Sequence, residues 1–272
     1  SATFSGLIVN SGSTLLNITK AGTGTQTLSG ANTFVAGTTV TGATATLAAS
    51  GGGTLLLSGT YSSAYASGTD SFVIVTGMSN CCDSFSFRLL TTSNTGFTGS
   101  IVRTDSTTGW ASTGTVTYTV IPVSVVVSAG TLKIDNASAI PSSGAVKVNS
   151  GATLDLNGNS LAASVRLDGG TLTNTATGAA TLSGNLVVVA ASSIGGSNGN
   201  MTVSGLLNNP YNADASVSLS KTGSNTLTLS GNNVNGNYSA NVGRLNINAG
   251  IVSLNSANAL DYLRAVKGTV SF

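Results

Sequence analysis

The chain has 272 residues, of which 7% are charged, against about 25% in ordinary globular proteins. With no His and no Glu, it lacks the parts of a Ser-His-Asp or Cys-His centre and of the common His-bearing metal sites. Ten cations and eight Asp are dispersed to a net charge of +2. That gives no clustered charge for nucleic acid or acidic lipid, and no apolar run approaches the ~18 residues that cross a bilayer.

In chain order, residues 1–57 carry short strand signals. They are Ser5–Val9, Thr14–Ile18, Gln26–Leu28, Gly37–Val40, Ala45–Leu47 and Gly53–Leu57. Each alternates apolar and polar residues, which turns one side of a strand inward and the other to water. Residues 58–127 differ. They hold more than half of the aromatic residues, both cysteines, and longer β-branched strands at Ser71–Val75, Phe85–Leu90 and Gly114–Val120. Such strands suit an antiparallel sheet. The expected division is therefore solenoid rungs over 1–57, an inserted β subdomain or elaborated loop over 58–127, and rungs again over 128–272.

The last region is the most regular. Strand signals at Gly130–Ile134, Gly151–Leu156 and Gly169–Thr173 each open on Gly and run into Asn, Asp, Gly or Ser, which favour turns. Their spacing, 151 − 130 = 21 and 170 − 151 = 19, is that of a solenoid coil rather than a hairpin. Two long-range repeats run through the chain. The Lys20-Ala21-Gly22 to Leu28-Ser29-Gly30 stretch recurs at Lys221-Thr222-Gly223 to Leu229-Ser230-Gly231, an offset of 221 − 20 = 201. Residues Ala129–Ile140 recur at Ala249–Leu260, an offset of 249 − 129 = 120. The best helical candidate, Asn258–Arg264, is too short to stand alone. The fold expected is all-β: a right-handed parallel β-helix, or solenoid, with an inserted aromatic-rich β subdomain.

The first repeat resembles the autotransporter-associated β-strand repeat, also called the passenger-associated transport repeat. Ile18, Lys20, Gly22, Gly24, Leu28, Ser29, Gly30, Asn32, Thr33, Phe34, Gly37, Thr39 and Val40 match its pattern. The second copy keeps Lys221, Gly223, Leu229, Ser230, Gly231 and Asn233. The resemblance covers 1–57 and 128–272 but not 58–127. It implies a secreted right-handed parallel β-helix, extracellular or at the cell surface of a Gram-negative-type bacterium. Two departures stand out: no membrane-barrel pattern closes the chain, and the chain is short for a passenger. The expectation is a fragment, a processed piece or a subunit that assembles.

Bare solenoid ends expose unpaired backbone, and no capping pattern precedes Phe4, Leu7, Ile8 and Val9 or follows Tyr262, Leu263, Val266, Val270 and Phe272. The leading expectation is a non-enzymatic structural subunit whose partner is itself, joined head to tail or by terminal strand exchange into a filament. The alternative is an adhesin-like passenger segment that binds a surface glycan through 58–127, with Tyr61, Tyr65 and Trp110 stacking on sugar. Those aromatics are more simply the subdomain's own core. A third reading pairs Asp155 with Asp168 as polysaccharide-cleaving carboxylates. Turn or solvent roles are favoured for both, because supporting basic and aromatic groups are missing nearby. Adjacent Cys81 and Cys82 match no metal or redox motif. They leave three readings: free thiols, which are favoured, a strained vicinal disulfide, or bridges to another chain. No cofactor, metal, nucleic-acid partner or membrane insertion is expected.

Overall fold

The computed structural model describes residues 1–10, 16–34, 40–48, 54–60, 71–79, 85–92, 96–103, 113–208, 217–231, 244–256, 259, 266–267 and 270–271. Every described element is a strand. The first three are β1 (Ala2–Phe4), β2 (Ile18–Lys20) and β3 (Thr25–Leu28). Then come β4 (Val40–Ala48), β5 (Thr54–Thr60), β6 (Ser71–Ser79), β7 (Phe85–Thr92), β8 (Gly96–Arg103) and the long β9 (Thr113–Val127). Short strands follow: β10 (Thr131–Ile134), β11 (Ala145–Asn149), β12 (Thr153–Asp155), β13 (Ser160–Leu161), β14 (Ser164–Asp168), β15 (Thr171–Thr173), β16 (Ala180–Leu182), β17 (Leu186–Ala190) and β18 (Ser192–Gly195). The chain closes with β19 (Met201–Val203), β20 (Leu207–Asn208), β21 (Ser218–Thr222), β22 (Thr226–Leu229), β23 (Arg244–Ile247), β24 (Ile251–Leu254), β25 (Val266–Lys267) and β26 (Val270–Ser271).

Three parallel walls make a β-solenoid. Wall one stacks β1-β3-β10-β12-β15-β18-β21-β23-β25, wall two stacks β13-β16-β19-β22-β24-β26, and wall three stacks β2-β9-β11-β14-β17-β20. The chain visits the walls in that order, as in β12, β13, β14 and then β15. Alternation sets which side is buried. Wall one sends Leu132, Leu154, Leu172 and Ile194 inward in register, while Thr131, Thr153, Thr171 and Ser193 rank along its outside. On wall two, Leu182, Val203, Leu229 and Leu254 point in, and Thr181, Thr202, Thr228 and Ser253 point out. Burying each aliphatic side chain stabilises by about 1.5–3 kcal/mol. The outer hydroxyls keep the walls solvated without charge.

Rungs expected at Gly130–Ile134, Gly151–Leu156 and Gly169–Thr173 fall on β10, β12 and β15. The N-terminal part differs. The Ser5–Val9 signal is not a strand; β1 lies just before it, at Ala2–Phe4. The signals at Ala45–Leu47 and Gly53–Leu57 fall in β4 and β5, which are not rungs. Strand β4 runs antiparallel to β9, and β5 antiparallel to β8. Antiparallel strand pairing thus spans 40–122 rather than beginning at 58, with only an isolated bridge, Asn149–Gly169, beyond it, and the end of the expected subdomain, Val123–Val127, belongs to the solenoid wall. An alternating strand looks the same whichever way its neighbour runs, so the pattern alone does not distinguish the two.

Strand β9 joins the two regions. Its first part pairs with β4 and β6, forming one antiparallel sheet, and its last residues pair in parallel with β2 and β11. The strands β5-β8-β7 form a second, separate antiparallel sheet. Buried Phe97 of β8 meets buried Tyr118 of β9 edge-to-face, ring centroids 4.8 Å apart. Outside wall three, Ile121 and Val123 of β9 pack with Ala145 and Val187 in an apolar cluster separate from the solenoid interior.

Candidate functional site: two lysine corners and an exposed first rung

Among the described residues, two corners carry lysines in specific hydrogen-bonded settings. Lys20 ends β2 in the register of the inward Val127, and its Nζ donates to the carbonyls of Ala21 (2.9 Å), Gly22 (2.8 Å) and Ala129 (3.1 Å). Lys221 lies in the inward column of wall one, between Ile194 and Ile247, with none of its surface exposed. Its Nζ donates to the carbonyls of Thr222 (2.8 Å), Gly223 (2.8 Å) and Ala249 (3.3 Å). Each ammonium thus spends its three protons on three carbonyls, two in its own turn and one in the next rung. Gly22 and Gly223 take φ of 75° and 72°, the left-handed conformation that swings their carbonyls toward the lysine. Burial pushes the Lys221 ammonium below its ordinary value of 10.5, while the carbonyl bonds favour the charge and oppose that push. Charge usually marks a surface residue, so the sequence identified both lysines only as repeat positions.

Asparagines close other turns. Asn174, fully buried, donates to the carbonyls of Gly178 and Gly199 and accepts from the amide of Gly158. Asn32 accepts from the amide of Ile8 (2.8 Å) and donates to the carbonyl of Ala139 (2.7 Å), so it ties three successive rungs.

Asp155 and Asp168 do not form a pair. Asp155, on wall one, is 2% exposed and accepts from the amides of Asn157 and Thr175 and from the Thr175 hydroxyl. It ends β12, and its buried carboxylate closes the turn that follows rather than facing solvent. Asp168, on wall three, is gripped at both oxygens by Arg166 at 2.7 and 2.9 Å, with Lys147 at 3.6 Å.

At the first rung, Phe4, Leu7 and Val9 are 43%, 60% and 53% exposed. They are three of the four exposed large apolar side chains among the described residues; the fourth is Ile251. Ile8 instead packs partly on the interior. Strand β1 pairs with β3 on one side. At the other end of wall one lies β25 with Val266, and at the end of wall two lies β26 with Val270. Tyr262, Leu263 and Phe272 lie outside the described residues, as do Tyr61, Tyr65, Trp110, Cys81 and Cys82.

No protein-family model matches the chain, nor does any curated protein or solved structure.

Proposed function

We propose that this chain is a non-enzymatic structural subunit of a cell-surface or extracellular filament, whose copies join head to tail through the ends of the solenoid. One observation carries the reading: among the described residues, exposed large apolar side chains are concentrated on one rung. Phe4, Leu7 and Val9 stand out there, while walls one and two present ranks of Thr and Ser. Hydroxylated walls prefer water, so apolar association is directed to the end rather than the sides. A second copy placing β25 beside β1 would continue wall one with the same parallel pairing. The extracellular setting rests on the resemblance of Lys20–Phe34 and its second copy to autotransporter-associated repeats. A glycan-binding passenger segment is the second reading, favoured by the antiparallel strands that β9 carries beyond wall three.

Electron microscopy of the purified chain tests the filament. Unbranched fibres that disappear in the Leu7→Lys/Val9→Lys double variant are expected. Dispersed monomers at all concentrations would overturn it. Retention on a glycan array would then favour the second reading.

A further inference from the structure

The two sequence repeats describe a single structural unit. In the first copy Ile18 pairs with Val125 and Gln26 with Leu132; in the second Leu219 pairs with Leu245 and Leu227 with Val252. Hydrogen bonds between the rungs recur at matching positions. Ser128 N donates to Lys20 O as Asn248 N does to Lys221 O, both at 2.9 Å. Asp135 N donates to Leu28 O at 2.8 Å, as Asn255 N does to Leu229 O at 2.9 Å. Lys20 reaches Ala129, and Lys221 reaches Ala249. Yet the copies stand at different corners. The first turns from wall three into wall one, the second from wall one into wall two.

The copies differ in the chain between their two rungs. It is longer in the first by 201 − 120 = 81 residues. In the first copy that chain holds β4 to β8 and the opening part of β9. We infer that this stretch is a guest module, inserted into one turn of a solenoid that is complete without it, and that the short connection following Gly231 in the sequence is an equivalent acceptor at another corner. Three features fit an insertion. The guest's strands pair antiparallel among themselves and with β9, whereas the described wall strands pair with one another in parallel, with one isolated antiparallel bridge at Asn149–Gly169. The shared β9 is the one described strand in both kinds of sheet. The lysine clip of the host unit is made on both sides of the guest, by residues 20 and 129.

The test is an exchange within the chain. Residues 35–124 are replaced by residues 236–244, which gives the first copy the short connection of the second and keeps buried Phe34. The exchange removes Ile121 and Val123 from the outer apolar cluster, so a lower melting temperature is expected. The chimera should still melt in one transition, with the Ser128 and Asp135 amides protected from hydrogen exchange. Loss of protection there, with Asn248 and Asn255 still protected, would overturn the inference. A reciprocal variant covers wholesale misfolding: residues 35–124 are copied in place of 236–244 in the otherwise full chain. Cooperative folding with two guests supports the second acceptor turn. Failure of both variants to fold would overturn the inference outright.

Discussion

At the residue scale, the lysine corners reverse the usual sense of a charge. Lys221 occupies a core position, and its ammonium supplies donors to carbonyls that would otherwise face one another across a rung step. Replacing it by Met keeps most of the volume but removes the donors. Each buried acceptor left without a partner costs about 1–3 kcal/mol, so Lys221→Met should lose roughly 2–4 kcal/mol in urea unfolding. Lys20→Met should lose less, about 1 kcal/mol, because Lys20 is half-buried and water can take over. Equal losses at the two sites would mean that packing rather than hydrogen bonding sets the cost. Alkaline pH separates a second pair. Burial raises the Tyr118 phenol above its ordinary value of 10.0. The folded chain then holds a proton that the unfolded chain has released, so stability falls as pH rises past that value. Lys221 has the opposite sign. Its folded pKa lies below 10.5, the unfolded chain binds more protons in that window, and stability rises with pH there. Urea midpoints followed through this range should lose the fall in Tyr118→Phe and the rise in Lys221→Met.

At the scale of the element, the corners decide how closely rungs stack. The turn from wall two to wall three is a column of Ala163, Gly184, Gly205 and Gly231, where each glycine lies against the backbone of the rung before it. A Cβ on Gly205 would fall 2.1 Å from the Gly184 carbonyl oxygen, too close for any rotamer to relieve. Gly205→Ala should therefore cost well over about 1 kcal/mol. Gly24→Ala faces open space at a φ any residue adopts. It should be neutral or stabilise by up to about 1 kcal/mol through the unfolded chain. Thermal melts of the two variants check the contrast. Much of this architecture was legible in the sequence, because a turn needs Gly or Asn and a rung needs an inward aliphatic every second residue. Leu132, Leu154 and Leu172 were readable as one column for that reason. Pairing direction was not legible, since Ala45–Leu47 alternates as a rung does while lying antiparallel to β9. Nor was the burial of Lys20 and Lys221, because their partners are backbone carbonyls, which every sequence has.

At the scale of the molecule, the geometry sets a length that assembly would repeat. Among the described residues wall one has nine strands, and parallel neighbours lie ~4.8 Å apart. If the ends join by continuing that wall, each subunit advances the fibre by nine such steps, roughly 43 Å. Fibre diffraction should then show a strong meridional reflection near 4.8 Å. Averaged images should show one side protrusion per subunit, because β9 carries its antiparallel partners β4 and β6 out from wall three once in each chain. Protrusions spaced well beyond roughly 43 Å would mean that other residues intervene at the junction and that β1 and β25 do not pair directly. Fibres whose 4.8 Å reflection lies off the meridian would mean association through the guest or a wall instead, and the exposure of Phe4, Leu7 and Val9 would then need another explanation. The Leu7→Lys/Val9→Lys variant separates those cases, since it charges the first rung and leaves the guest and the hydroxyl ranks untouched.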